Sequence, residues 1–436
     1  MFFAKKRSTA VGTFAVLAAS ALLVTACGGG STAASSNTPP TDSKDPVTIS
    51  FMHAMSTGAL KTSLTKITQD FMAKNPNITV DLQEQPDYAT LQTKINAQTA
   101  AGTPPMIAQV YSNLADEFAS SKVIVPLDDY VSQSKDYGNF YDGVKKDLKL
   151  TDGKTRMWPF NKSVVVQYYN PTMVPEAPKT WDDFATAAKK ASTGNVVALS
   201  IDPGNSSGPA GGTALFEIMA QSFGDPVFAS DGTPQFTKDG VVKALDYLKQ
   251  MKKDGSLALG TKYPGQAALG GQTGAFDISS VASYQFNKAA VGDKFAMGVA
   301  ALPSGPAGTA NQLAGTKIAL FDKSTDAQKA AAWKFMQFLT SPEEMAYWSS
   351  TTGYLPVSKD TLDQPVFKDY VAKNACVVEA TKQLDSASSL PAKSWINKAS
   401  GPLTLAIQDA INNGTDSKQA LEKAQDAALK AQKDAS

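Results

Sequence analysis

Apolar residues recur along this chain with two alternating periods, and the alternation predicts its elements. Residues 47–52 (VTISFM) form a short run of strand type, and apolar and polar positions alternate over 78–82 (ITVDL). Between them Leu60, Leu64, Ile67 and Phe71 share one stripe of an amphipathic helix, which Asn75-Pro76 brings to an end. A second helix over 88–101 turns Leu91 and Ile95 inward and stops at Gly102-Thr103-Pro104-Pro105; 106–111 is a third strand. Strands alternating with helices of this length predict parallel pairing in an α/β sheet.

The pattern restarts past the middle. Residues 164–169 are strand-like, and Asn170-Pro171 forms a turn. Thr180 then precedes Trp181-Asp182-Asp183-Phe184, close to a capping box with Asp183 in place of the usual Glu. Further strands are expected at 196–201, 274–278, 295–301 and 317–321, with helices at 239–253 and 326–340; in the second helix Trp333, Met336 and Leu339 share a face. From 361 onward the chain reads as mostly helical, ending in an Ala-rich helix over 417–433. No short-period repeat is present. The expected architecture is therefore α/β with two lobes, the chain crossing near 160–170 and 310–325. Residues 46–164 plus about 317–356 would form lobe 1, and about 165–316 plus 357–436 lobe 2.

The N-terminal segment stands outside this pattern. Lys5, Lys6 and Arg7 precede an apolar run over about 11–24 that is short for a membrane span and flanked as a secretory signal is. Val24-Thr25-Ala26-Cys27 resembles the lipobox of bacterial lipoproteins, which implies cleavage before Cys27 and a diacylglycerol on its thiol. Residues 1–26 are thus expected to be a signal peptide. Residues 27–45, rich in Gly, Ser, Thr, Ala and Pro, would form the lipidated cysteine and a flexible tether. The protein would then sit on the outer face of a bacterial cell membrane, held by lipid alone.

Composition narrows the chemistry. The formal charge of +1 becomes −2 once the three signal-peptide cations are lost, leaving no basic field for nucleic acid. Beyond Cys27 only Cys376 remains, so no internal disulfide is expected and stability must come from core burial. The single histidine, His53, and the shortage of cysteine leave no zinc site. His53 follows an apolar strand and reads as a positioned polar residue rather than a catalytic base. No Walker or dinucleotide-binding glycine pattern is present. Asp128-Asp129 could supply a carboxylate pair, but neighbours of this kind usually point apart. Neither an enzymatic activity nor a cofactor is expected.

Specific strings carry a family resemblance. They are Phe51-Met52-His53-Ala54-Met55, Met106-Ile107-Ala108-Gln109-Val110-Tyr111, Pro159-Phe160-Asn161-Lys162-Ser163 leading to Tyr168-Tyr169-Asn170, and Thr352-Gly353-Tyr354-Leu355-Pro356. With the signal, lipobox and tether, the chain over nearly all of 46–436 resembles the extracellular solute-binding proteins of ABC importers, in their large carbohydrate-related group. Its likeness is strongest to the glycerol-3-phosphate-binding proteins. The resemblance implies a two-lobed periplasmic-binding-protein-like fold of type II with a ligand cleft between the lobes. The solute would be a sugar, an oligosaccharide or a glycerol-phosphate compound. The protein would act as a monomer and deliver it to the transmembrane subunits of a permease.

By the same resemblance Tyr88 is an aromatic contact, Ser163 a hydroxyl that grips the ligand, and Ser279 or Ser280 a second serine. Gly315 supplies a backbone amide and Tyr354 a phenol. Such donors suit sugar hydroxyls and phosphate oxygens, and rings suit an apolar sugar face. Two departures stand out. Ser112 follows the Gln-Val-Tyr string where the glycerol-3-phosphate binders have an acid. No arginine lies at 392–398, where they have one for phosphate; Lys393 or Lys398 could stand in as point charges. A neutral sugar would instead use Trp158, Trp348 or Trp395 as stacking surface. A secreted glycoside-active enzyme and a surface adhesin share the export signals and are the alternatives.

Overall fold

The structure is a computed structural model that describes residues 39–203, 212–374 and 376–435. The signal peptide, Cys27 and the first part of the tether lie outside these residues. The strands are β1 (Val47–His53), β2 (Ile78–Glu84), β3 (Ile107–Val110), β4 (Trp158–Pro159), β5 (Val165–Tyr169), β6 (Leu199–Ile201), β7 (Leu257–Leu259), β8 (Phe276–Ser280), β9 (Gly298–Ala300) and β10 (Lys317–Leu320). They form two five-stranded sheets, β2-β1-β3-β10-β4 and β7-β6-β8-β5-β9, one in each lobe.

Local chemistry explains the elements that periodicity predicts. In the helix Gly58–Lys74 the buried residues include Leu64, Ile67 and Phe71, which cover the first sheet. Asn75 closes it, donating from its amide side chain to the Phe71 carbonyl at 2.9 Å. Thr180 accepts from the Asp183 amide at 3.1 Å, a one-sided cap. The full reciprocal box occurs instead at Thr325 and Gln328, heading the helix Asp326–Leu339.

Pairing is only partly parallel. β1 lies parallel to β2 and β3, and β6 to β7 and β8, as the alternation predicts. β10 runs antiparallel to β3 and β4, and β5 antiparallel to β8 and β9. The exceptions β5 and β10 begin where the chain has just come from the other lobe, so they enter their sheets from the opposite end. No local periodicity records that reversal.

The chain crosses between sheets over 159–165 and again over 300–317. Ser163 and Ala314 pair where these segments meet, exchanging two backbone bonds of 3.1 and 2.9 Å. A third passage comes later than the sequence suggests. Val357, Phe367, Val377, Leu384 and Ala387 join the first core, and Leu390 is the next to pack against the second. Residues 357–387, expected with lobe 2, thus pack on lobe 1. Close approach makes this possible: a Cβ on Gly143 would stand 2.1 Å from the Leu384 carbonyl oxygen. Among the described residues no helix is long and apolar enough to cross a membrane.

Candidate functional site

Three phenols converge where loops of the first lobe meet the second. Tyr88 opens the helix Tyr88–Ala100, which Asp87 caps by accepting from the Thr90 amide at 2.7 Å. Tyr111 directly follows β3, and Tyr354 follows the helix Pro342–Thr352 after the left-handed cap Gly353. The Tyr88 and Tyr111 ring centroids are 5.4 Å apart. Tyr354 lies stacked on Trp348 at 6.1 Å, and its phenol and that of Tyr88 act electrostatically on each other. Burial pushes all three hydroxyls up from the usual tyrosine range, reinforced at Tyr88 and Tyr111 by the neighbouring phenols and partly offset at Tyr354 by Tyr88 and Asn161, so they remain protonated donors.

A polar chain fixes the cluster from behind. The Ala54 amide donates to Gln109 Oε1 at 2.7 Å, and Gln109 Nε2 donates to Thr316 Oγ1 at 2.9 Å. The Thr316 hydroxyl and its amide (3.1 Å) both donate to Asn161 Oδ1. That commits the Asn161 carbonyl and turns its Nδ2 toward the Tyr88 hydroxyl at 3.4 Å. Gly315 makes the approach possible: its φ is +105°, and a Cβ there would stand 1.9 Å from the Asn161 backbone oxygen.

The second lobe contributes Tyr263. It is half exposed, and its phenol acts electrostatically on both Tyr111 and Tyr354. Its backbone is left-handed at φ 61°, as is that of Lys262, whose amide donates to Asp202 Oδ2 at 3.1 Å.

The structure therefore brings together Tyr88, Tyr354 and, through Asn161, Gly315. Ser163 lies buried at the crossing. Ser279 is committed elsewhere: its hydroxyl donates to Asp277 Oδ2 at 2.6 Å, beside Asn287 Nδ2 at 2.8 Å. The Ser280 hydroxyl accepts from the Ala282 amide at 3.2 Å, capping a short turn. Trp158 and Trp348 are core residues rather than stacking surface; Trp158 donates to Thr340 Oγ1 at 2.9 Å and Trp348 underlies Tyr354. Trp395 sits beneath the Lys393 ammonium, which donates to Thr151 Oγ1 at 3.0 Å, and Lys398 is exposed. His53 accepts from the Met55 amide at 3.1 Å, and burial lowers its pKa to about 4, so it is neutral. Tyr111, Asn161 and Tyr263 were not singled out from sequence. The first two end or sit within resemblance strings and could have been; Tyr263 shows no local signal beyond preceding Pro264.

Comparison with known proteins now bears on this geometry. Residues 66–375 match the model of a family described as bacterial extracellular solute-binding protein. The chain belongs to that family. Among relatives of this solute-binding protein is the sn-glycerol-3-phosphate-binding periplasmic protein UgpB of Escherichia coli (strain K12). It is 29% identical over 399 residues, covering 83% of this chain and 86% of UgpB. Two solved structures share the fold. UgpB from Mycobacterium tuberculosis in complex with glycerophosphocholine has a TM-score of 0.78 and 20% identity, covering 90% of this chain and 99% of that one. The maltose/maltodextrin-binding domain MalE from Bdellovibrio bacteriovorus bound to maltotriose has a TM-score of 0.72 and 19% identity, covering 89% and 100%.

Proposed function

We propose that this protein is the solute-capturing component of an ABC importer, taking a carbohydrate-type solute between its lobes and delivering it to a membrane permease. The supporting observation is the phenol cluster: Tyr88, Tyr111 and Tyr354 on one lobe, faced by Tyr263 of the other, on a backing of satisfied buried polar groups. Neutral phenols offer donors to hydroxyl or phosphate oxygens and ring faces to a sugar or glycerol carbon skeleton. UgpB, named for glycerol-3-phosphate, and the MalE domain with maltotriose bracket the solute classes to test.

The lobes would work by hinge closure. A solute touching both lobes favours the closed arrangement, by no more than its differential affinity for the two states. The closed form would dock with one lobe on each transmembrane subunit, and the body would be held at the outer membrane face through lipid on Cys27. Supporting that anchor are the lipobox-like string and the tether that follows it.

A thermal-unfolding screen of sugars, glycerol-3-phosphate and glycerophosphocholine tests the capture step. A true solute at a hundred times its Kd should stabilise the protein by about 2.7 kcal/mol. Small-angle scattering with that solute should show a smaller radius of gyration, and an unchanged curve would remove the closure step. Turnover of an oligosaccharide would favour the enzyme reading. Failure of Cys27→Ala to lose labelled acyl chain would remove the anchor.

A further inference from the structure

Two backbone amides set the direction of the polar chain behind the phenols. A backbone N–H can only donate, so the Ala54 amide holds Gln109 Oε1 toward itself at 2.7 Å and leaves Nε2 facing Thr316 Oγ1 at 2.9 Å. That nitrogen can only donate as well. Thr316 Oγ1 therefore accepts from it and gives its own proton to Asn161 Oδ1. The Thr316 amide donates to the same Asn161 oxygen at 3.1 Å, a second and independent constraint. Flipping Gln109 would set Nε2 against the Ala54 N–H, and flipping Asn161 would set Nδ2 against the Thr316 N–H. Gln109, Thr316 and Asn161 are at most 1% exposed, so bulk water cannot relieve either mismatch.

The direction carries through to the phenols. Asn161 Nδ2 donates to the Tyr88 hydroxyl oxygen at 3.4 Å. Burial raises the pKa of both Tyr88 and Tyr354, and Asn161 opposes it at each, the sign expected where an N–H faces a phenol oxygen. Both phenols are protonated, and an oxygen that accepts from Asn161 keeps its own O–H to give. Two neighbouring phenols can exchange at most one O–H···O bond between them. At least one phenol proton is therefore left over, and the donors earlier in the chain polarise it into a stronger one.

We propose that Asn161, oriented by the Ala54 and Thr316 amides through Gln109, is a positioning residue that makes the Tyr88–Tyr354 pair a proton donor to the solute. The solute must then present an oxygen lone pair at this point, from an ether, a carbonyl or a hydroxyl whose own proton is directed elsewhere. A group with only protons to offer, such as an ammonium, is refused there. This rests on the solute-capture reading and adds to it which partner in the bond gives the proton.

The test reverses the last link. Asn161→Asp keeps an acceptor for the Thr316 amide and hydroxyl but turns a second acceptor on the phenols, which then give their protons to it. With donors on both oxygens the carboxylate stays ionised at about pH 8. Asn161→Leu fills similar space, leaves the phenol protons free and strips the Thr316 amide of its acceptor. Calorimetric titration at that pH with maltotriose, glycerol-3-phosphate and glycerophosphocholine compares both variants with the wild type, which should bind at least one of the three. Asn161→Asp should weaken that binding about tenfold or more, and Asn161→Leu by less than about threefold. A merely structural role for Asn161 predicts the opposite order. Equal losses, none, or a larger loss in Asn161→Leu would overturn the proposal while leaving solute capture standing. A second measurement needs no substitution at Asn161. Wild-type protein made with 3-fluorotyrosine, a more acidic phenol and so a stronger donor, should bind more tightly; unchanged or weaker binding would overturn the proposal too. Binding of no small molecule in a broader panel would remove both the proposal and the capture reading.

Discussion

Glu217 offers the sharpest test of the electrostatics, because it is a buried carboxylate with no cation paired to it among the described residues. It lies on the helix Gly212–Ser222, 7% exposed, and its one hydrogen-bond partner among the described residues is Gln312 Nε2, at 2.8 Å. Burial raises its pKa from 4.5 to about 7, only partly offset by the Gln312 bond. In the unfolded chain the group ionises near its ordinary value. Between about pH 4.5 and 7 the folded protein therefore binds more protons than the unfolded one, and stability falls as pH rises through that window. A displacement of this size corresponds to about 3 kcal/mol at pH 8, at 1.36 kcal/mol per pKa unit. Glu217→Gln keeps an acceptor for Gln312 and cannot ionise. Urea unfolding followed by tryptophan fluorescence, on both proteins from pH 4.5 to 8.5, should show the variant gaining about 3 kcal/mol on the wild type across the window. His53, neutral through burial, pulls the opposite way, contributing stability that is lost as pH falls from 6.5 toward 4. It is present in both proteins and cancels in the difference. Parallel stability curves would mean that Glu217 finds water or a cation in solution, and the argument would fail.

Other expectations follow from single contacts. Gly315→Ala forces a Cβ onto the Asn161 carbonyl at a left-handed φ; it should lower stability by about 2 kcal/mol or more and abolish solute-induced stabilisation, both read by thermal unfolding. Tyr88→Phe removes the acceptor of Asn161 Nδ2, and Tyr354→Phe removes the neighbouring hydroxyl of the same cluster. Each should weaken solute binding by about threefold to tenfold in calorimetry, with little change in melting temperature. Asn311→Ala strips the partners from both backbone groups of Val165 (3.0 and 2.7 Å) and from Gln383. It should cost about 2–4 kcal/mol in urea unfolding.

What could be read ahead of the structure was whatever one element decides by itself. Leu64, Ile67 and Phe71 define their helix by spacing, and Asn75 stops it by bonding back within the same turn. Tyr88 and Tyr354 were named through the family resemblance rather than by any local period, and each stands beside a helix end. Ser279 shows the opposite case. A serine two residues from an aspartate on one strand shares its face, but the bond to Asp277 wins because Asn287, from a different element, holds the same carboxylate oxygen in place. The ion pairs of Lys162 and Lys317 with Asp147 join a helix, a crossing segment and a returning strand across 170 positions of sequence. Asn161 is similar, since its orientation is dictated by Thr316 and Gln109 from two other strands' ends. Lobe assignment of 357–387 was hidden for a related reason: apolar spacing does not say which core a segment covers, and the close approach of Gly143 to Leu384 and Ala387 joins segments distant in sequence.

The passages between the lobes constrain how closure could proceed. Two crossing segments are tied by Ser163 and Ala314, and the later stretch joins them where the Ser388 amide donates to the Asn311 carbonyl at 3.1 Å. Asn311 binds Val165 from its side chain, and Gln312 next to it holds Glu217 of the second lobe. Breaking any of these bonds would expose a buried polar group, at about 1–3 kcal/mol each. A rotation that kept them would be absorbed in the residues flanking the knot, with the knot itself moving as part of the second lobe.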